Sequence, residues 1–147
     1  MTQEEKSLLL KDLSARLSYG TIVSVTDGTI KYNAYIESVS YKNIQVSPVS
    51  DSNFTAYTFY KINEIKSYLR PISSMTEEES AELSNIISEW FDKELFYLTE
   101  EPFLEYALSR INYSISPLLF DWLNAHHFDY RGLIDKGLAL EAPEDMY

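Results

Sequence analysis

Apolar positions change their period twice along the chain, and each change marks a new element. Leu9, Leu10, Leu13 and Leu17 recur at intervals of three and four, one face of an amphipathic helix. Thr2 and Glu5 have the spacing of a capping box, and Tyr19-Gly20 supplies a stop, so the pattern predicts a helix over roughly 3–17. From Thr21 the period becomes two. Ile22 to Val25 leads into Asp27-Gly28, a dipeptide suited to the centre of a tight hairpin. Ile30, Tyr32, Ala34 and Ile36 then alternate with Lys31, Asn33, Tyr35 and Glu37, but Val39 and Tyr41 fall on the opposite parity. That slip predicts a bulge. Ile44 and Val46 mark a third strand that Pro48 should end, and Phe54 to Tyr60 reads as a fourth. Ile62, Ile65 and Leu69 suit a helical turn followed by a short last strand.

After residue 74 the helical period returns. Thr76 and Glu79 form a second capping box before Leu83, Ile86, Ile87, Trp90, Phe91 and Leu95. A second helix is expected from Thr99, burying Phe103, Tyr106, Ala107 and Ile111. A third should start at Ser116-Pro117, with Leu119, Trp122 and Leu123 inward. The end, residues 132–147, reads as short and irregular.

The fold class is therefore α+β. An N-terminal helix and a small, strongly bent antiparallel β-sheet or SH3-like or Sm-like barrel occupy residues 1–74. An acidic layer of about three helices occupies residues 75–147, packed with the first part as one unit. The 147 residues are 45% hydrophobic, enough for a core. The 12 tyrosines predict many half-buried rings, on sheet faces or in an interface.

Charge divides the chain at the same place. Residues 1–74 hold 8 Lys/Arg and 7 Asp/Glu, and residues 75–147 hold 4 and 16, within a net charge of −11. An acidic half repels phosphate backbones, which argues against nucleic acid as a partner. The lack of cysteine excludes disulfides, thiolate metal sites and thiol nucleophiles, and fits a reducing compartment. Residues 1–6 lack a signal-peptide pattern, and no window approaches the roughly 18 apolar residues of a membrane span. A cytoplasmic location without membrane contact is expected.

The densest group of reactive side chains is Asp121, His126, His127, Asp129, Tyr130 and Arg131. Two imidazoles and two carboxylates are metal-ligand types. Adjacent helical residues diverge by about 100°, however, whereas a helical metal pair needs spacing of three or four. His126 continues the face of Leu119, Trp122 and Leu123, which predicts packing rather than ligation. No Gly-x-Ser-x-Gly elbow, Gly-rich phosphate loop or dinucleotide fingerprint occurs. Pairs such as Glu100-Glu101 are commonplace in an acidic chain. In the sheet region, Lys31, Tyr35, Lys42, Tyr57, Phe59 and Lys61 mix cations with aromatics, as single-strand binders do. The near-neutral balance of that region favours an ordinary sheet face.

Three stretches carry a resemblance: Tyr68 to Glu79, Asp121 to Ile134, and Gly137 to Pro143. They resemble short, uncharacterised proteins of gut bacteria that are often encoded among prophage and other mobile-element genes. The resemblance covers the second half well and the sheet region loosely, and implies a phage-associated setting without any chemistry. The reading as a whole points to a non-enzymatic protein-interaction module without metal or cofactor. Tyr35, Tyr57 and Phe59 are its candidate contact aromatics; partner identity and oligomeric state stay open. The alternatives are an acidic decoy that binds a DNA-binding protein, and a small enzyme or metal-binding protein using His126 to Arg131.

Overall fold

The computed structural model describes residues 1–28, 30–49, 58–88 and 116–147. Helix α1 (Gln3–Arg16) begins with the expected reciprocal cap. The Thr2 amide donates to the Glu5 carboxylate at 2.6 Å, and the Glu5 amide donates to the Thr2 hydroxyl at 3.1 Å. The helix tightens into a 3-10 turn at Leu17–Tyr19 and stops at Gly20, whose φ of 64° is left-handed. Its buried stripe is Leu9, Asp12, Leu13 and Arg16. Leu17, expected on this stripe, is 38% exposed because the α-helical winding has ended before it. A charged pair takes the inward positions instead.

Six strands follow: β1 (Ile22–Asp27), β2 (Ile30–Val39), β3 (Ile44–Pro48), β4 (Thr58–Tyr60), β5 (Ile65–Leu69) and β6 (Ala139–Glu141). They form one open sheet in the order β4-β3-β2-β1-β5-β6. The first five pair antiparallel, but β6 runs parallel to β5. The barrel expectation is thereby corrected. The β5 edge, which a closed barrel would return to β4, is occupied by β6 instead. The tail expected to be irregular thus supplies a strand, and the sheet is mixed. A parallel neighbour requires a long crossover, which the intervening helical region provides.

Other sequence expectations hold in detail. The register shift in β2 lies between Ile36 and Ser38, where the parity slip placed a bulge. Pro48 is the last residue of β3, and Ile62–Glu64 forms a 3-10 turn before β5. The β1–β2 turn departs from the expectation: Asp27 pairs with Ile30 as part of the ladder and so is not central to the turn, while Gly28 takes a φ of 58°. The start of the fourth strand, including Tyr57, lies outside the described residues.

The two described helices of the second half are α2 (Glu77–Ser88) and α3 (Ser116–Ala125). The Thr76 amide donates to the Glu79 carboxylate at 2.9 Å and the Glu79 amide to the Thr76 hydroxyl at 3.2 Å, completing the second capping box. Leu83 and Ile87 of α2 bury against Leu119, Leu123 and Phe128. Trp90, Phe91, Leu95 and the whole helix expected from Thr99 lie outside the described residues. The larger core joins Leu9 and Leu13 of α1 to Val23, Val25, Ala34, Ile36, Ile44 and Val46 of the sheet. Among the described residues, no helix is long and apolar enough to cross a membrane.

Candidate functional site

The polar cluster expected at residues 121–131 spans the end of α3. The His127 amide donates to the Asn124 carbonyl at 3.1 Å and the Phe128 amide to the Leu123 carbonyl at 3.0 Å. This pattern closes a helix through one left-handed residue, a position that usually carries Gly. Here it is His127, with a φ of 59°. A non-glycine residue in that region costs on the order of 1 kcal/mol, so its surroundings must hold it.

Three contacts do so. The imidazole stacks on Tyr147 with ring centroids 3.6 Å apart, and its Nδ1 shares a hydrogen bond with the Thr21 hydroxyl at 3.2 Å. The His127 carbonyl accepts from the Arg70 amide at 2.8 Å. Burial, reinforced by the nearby Arg16, His126 and Arg70, lowers the His127 pKa from 6.5 to about 4. The ring is therefore neutral at physiological pH.

Tyr147 is itself placed by the sheet. Its hydroxyl accepts from the Ile22 amide at 3.1 Å and donates to the Tyr68 carbonyl at 2.9 Å. Ile22 and Tyr68 lie one position beyond the Val23–Ser67 pair of the β1–β5 ladder. The phenol thus stands between two strands where a backbone rung would otherwise continue. Burial pushes its pKa up to about 12.

A second group surrounds Asp12. Its carboxylate accepts from Arg16 Nε at 2.9 Å and from Arg131 Nη1 at 2.9 Å. Asp12 and Arg16 are both 0% exposed. Arg16 Nη2 donates to the Phe128 carbonyl at 2.7 Å, while Nη1 has no partner among the described residues. Arg16 and Arg131 also lie over the Tyr130 ring, 5.4 and 4.6 Å from its centroid. Burying these charges is costly, and the mutual pairing offsets that cost.

The other cluster members also bond within the chain. Both Asp129 oxygens accept backbone amides, from Leu133 at 2.9 Å and Ile134 at 2.8 Å. The Tyr130 hydroxyl donates to Asn124 at 3.1 Å, and Asp121 accepts from the Tyr19 hydroxyl at 3.1 Å. His126 stacks on Trp122 at 4.0 Å, and its Nδ1 bonds the Trp122 carbonyl at 2.9 Å. That is the packing role its helical face predicts. The two imidazoles have different partners, and no three described His, Asp or Glu side chains are arranged to hold a metal ion.

Nearby, Arg70 forks onto Glu79 at 2.6 and 2.9 Å and lies 4.4 Å from the Phe128 ring centroid. The Arg70 hydrogen bonds lower the Glu79 pKa from 4.5 to about 2. The sequence reading missed Asp12, Arg16, Thr21, Arg70 and Tyr147. One signal was available: Asp12 and Arg16 sit four apart on the face of Leu9 and Leu13.

The sheet aromatics stand differently. Lys31, Asn33, Tyr35 and Glu37 are exposed on the face of β2 opposite Ala34 and Ile36. Tyr35 pairs with Ile22 on one side and Ser47 on the other. Phe59, opposite Gln45 on β4, is 61% exposed. Comparison with protein-family models, with curated proteins and with solved structures gave no match.

Proposed function

We propose that the chain is a non-enzymatic protein-interaction module whose contact surface is the sheet face bearing Phe59 and Tyr35. One contrast carries this reading. Asp121, His126, His127, Asp129, Tyr130 and Arg131 each bond a partner within the fold through at least one side-chain polar atom. Phe59 and Tyr35 leave large apolar surface outward. An aromatic ring exposed beside a strand edge is a suitable anchor for another protein. Among the described residues, β4 has a neighbour on one side only. An extended segment of a partner adding itself to that edge would gain backbone hydrogen bonds as well as the Phe59 contact. The acidic-decoy alternative has less support, since Glu79 and Asp129 are already bonded within the chain.

The test is affinity capture from the native host with the wild-type chain and with Phe59→Ser and Tyr35→Ser variants. A partner held by the wild type and lost by the variants, at unchanged melting temperature, supports the reading. Equal recovery by all three proteins, or recovery of none, removes it.

A further inference from the structure

The amino end of α1, the β2–β3 turn and the 3-10 turn before β5 border an open cleft of about 530 Å³. Lys6, Lys42 and Lys61 line it together with Tyr41, Asn43 and Asn63. Three lysines therefore line one concavity without a lining carboxylate, on a chain whose net charge is −11. Two acids of the same elements are engaged on the backbone. Glu5 accepts from the Thr2 amide at 2.6 Å, and Glu64 accepts from the Lys61 amide at 2.7 Å. Lys42 and Lys61 form no ion pair with any described residue. Lys6 stands 4.9 Å from the centroid of Tyr41, whose side chain belongs to a residue 69% exposed.

Like charges converging on a concave surface repel one another, and a bound anion relieves that repulsion. The lining cations are lysines, point charges suited to phosphate, with no arginine fork to match a carboxylate. Tyr41 adds a flat surface on which a base can stack, and the amides of Asn43 and Asn63 can donate or accept. The volume lies in the range of about 300–1,000 Å³ typical of small-molecule sites. A cleft of this volume suits a compact ligand.

We propose that this cleft binds a nucleoside diphosphate or triphosphate, phosphates on the lysines and base against Tyr41. The assignment is independent of the protein-interaction reading. It rests on the three lysines and the ring, not on the helix end, where the capping box already occupies amide donors.

The experiment is a calorimetric titration of the full chain at low salt with ADP, inorganic pyrophosphate, adenosine and a short oligothymidylate. Backbone amide shifts of Asn43 and Asn63 are followed in parallel. ADP should bind and shift both amides, with pyrophosphate weaker and adenosine without effect. Lys42→Gln with Lys61→Gln should weaken ADP by about ten-fold or more. Tyr41→Ala should weaken it by about five-fold or more. Lys66→Gln with Lys136→Gln, outside the cleft, should leave binding and melting temperature unchanged. Absence of ADP binding, or binding indifferent to the Lys42 and Lys61 changes, overturns the site. Pyrophosphate binding as tightly as ADP overturns the nucleotide assignment, and tighter binding of the oligothymidylate overturns the compact ligand. If the double lysine variant fails to fold, the amide shifts of the wild-type chain decide: ADP must move Asn43 and Asn63, and their silence ends the proposal.

Discussion

In the sheet, Val23, Val25, Ala34, Ile36, Ile44 and Val46 are buried among apolar groups, whereas the last turn of α3 and the segment after it bury Asn124, His127 and Asp129. The two regions are enclosed to a similar degree by different forces. Burying one aliphatic side chain contributes about 1.5–3 kcal/mol and needs no particular direction. A typical hydrogen bond contributes a net of about 1 kcal/mol, yet leaving one buried partner unpaired costs more. The sheet core should therefore weaken gradually under substitution, and the polar junction should fail abruptly.

The sharpest way to break the comparison is Asp12→Ala. It leaves Arg16 buried without a counterion and unties Arg131, so a loss of about 3–5 kcal/mol is expected in urea denaturation. A loss below about 1 kcal/mol would mean that the pair behaves like a surface salt bridge. Leu13→Ala, one residue further and equally buried, should cost about 2–5 kcal/mol through lost transfer energy and a cavity. Its loss should not vary between pH 5 and pH 8, because no charge is uncovered.

The pH profile separates the regions further. His127 is lowered from 6.5 to about 4, so between those values the unfolded chain binds the extra proton. Stability is complete above pH 6.5 and falls as the pH drops toward 4. Glu79, lowered from 4.5 to about 2, adds a second decline as the pH falls through that lower window. Denaturation measured across pH should show the first decline vanish in His127→Gln and the second in Arg70→Gln.

Smaller effects sharpen the contrast. Tyr147→Phe keeps the stacked ring but removes the hydroxyl between Ile22 and Tyr68, costing about 1 kcal/mol. Hydrogen exchange at the Ile22 amide should accelerate while that of Val25 stays slow. Phe59→Ser, at an exposed position, should change stability by no more than about 0.5 kcal/mol.

The difference between the regions also explains what could be read from the chain. Capping boxes at Thr2/Glu5 and Thr76/Glu79 involve residues three apart, so local spacing reveals them. The β2 bulge is visible because a single extra residue reverses the parity of everything after it. Asp12 and Arg16 went unremarked because the groups that justify their burial are remote: Phe128 lies 112 residues from Arg16, and Arg131 lies 119 from Asp12. The His126–Arg131 cluster was found by residue type, but its role depends on Thr21, Asn124 and Tyr147, whose contacts no periodicity encodes. Strand β6 was missed for a related reason. Three residues, Ala139 to Glu141, are too few to display alternation, and their partner is β5.

That late strand has a consequence for synthesis. Hairpins β1–β2 and β2–β3 use neighbouring stretches and can zip as soon as they leave the ribosome. The outer margin of β5 must wait until everything from Leu69 to Ala139 has been translated before its neighbour arrives. Throughout that interval the nascent chain exposes an adhesive backbone rim, a natural point for a chaperone to engage or for two unfinished copies to join.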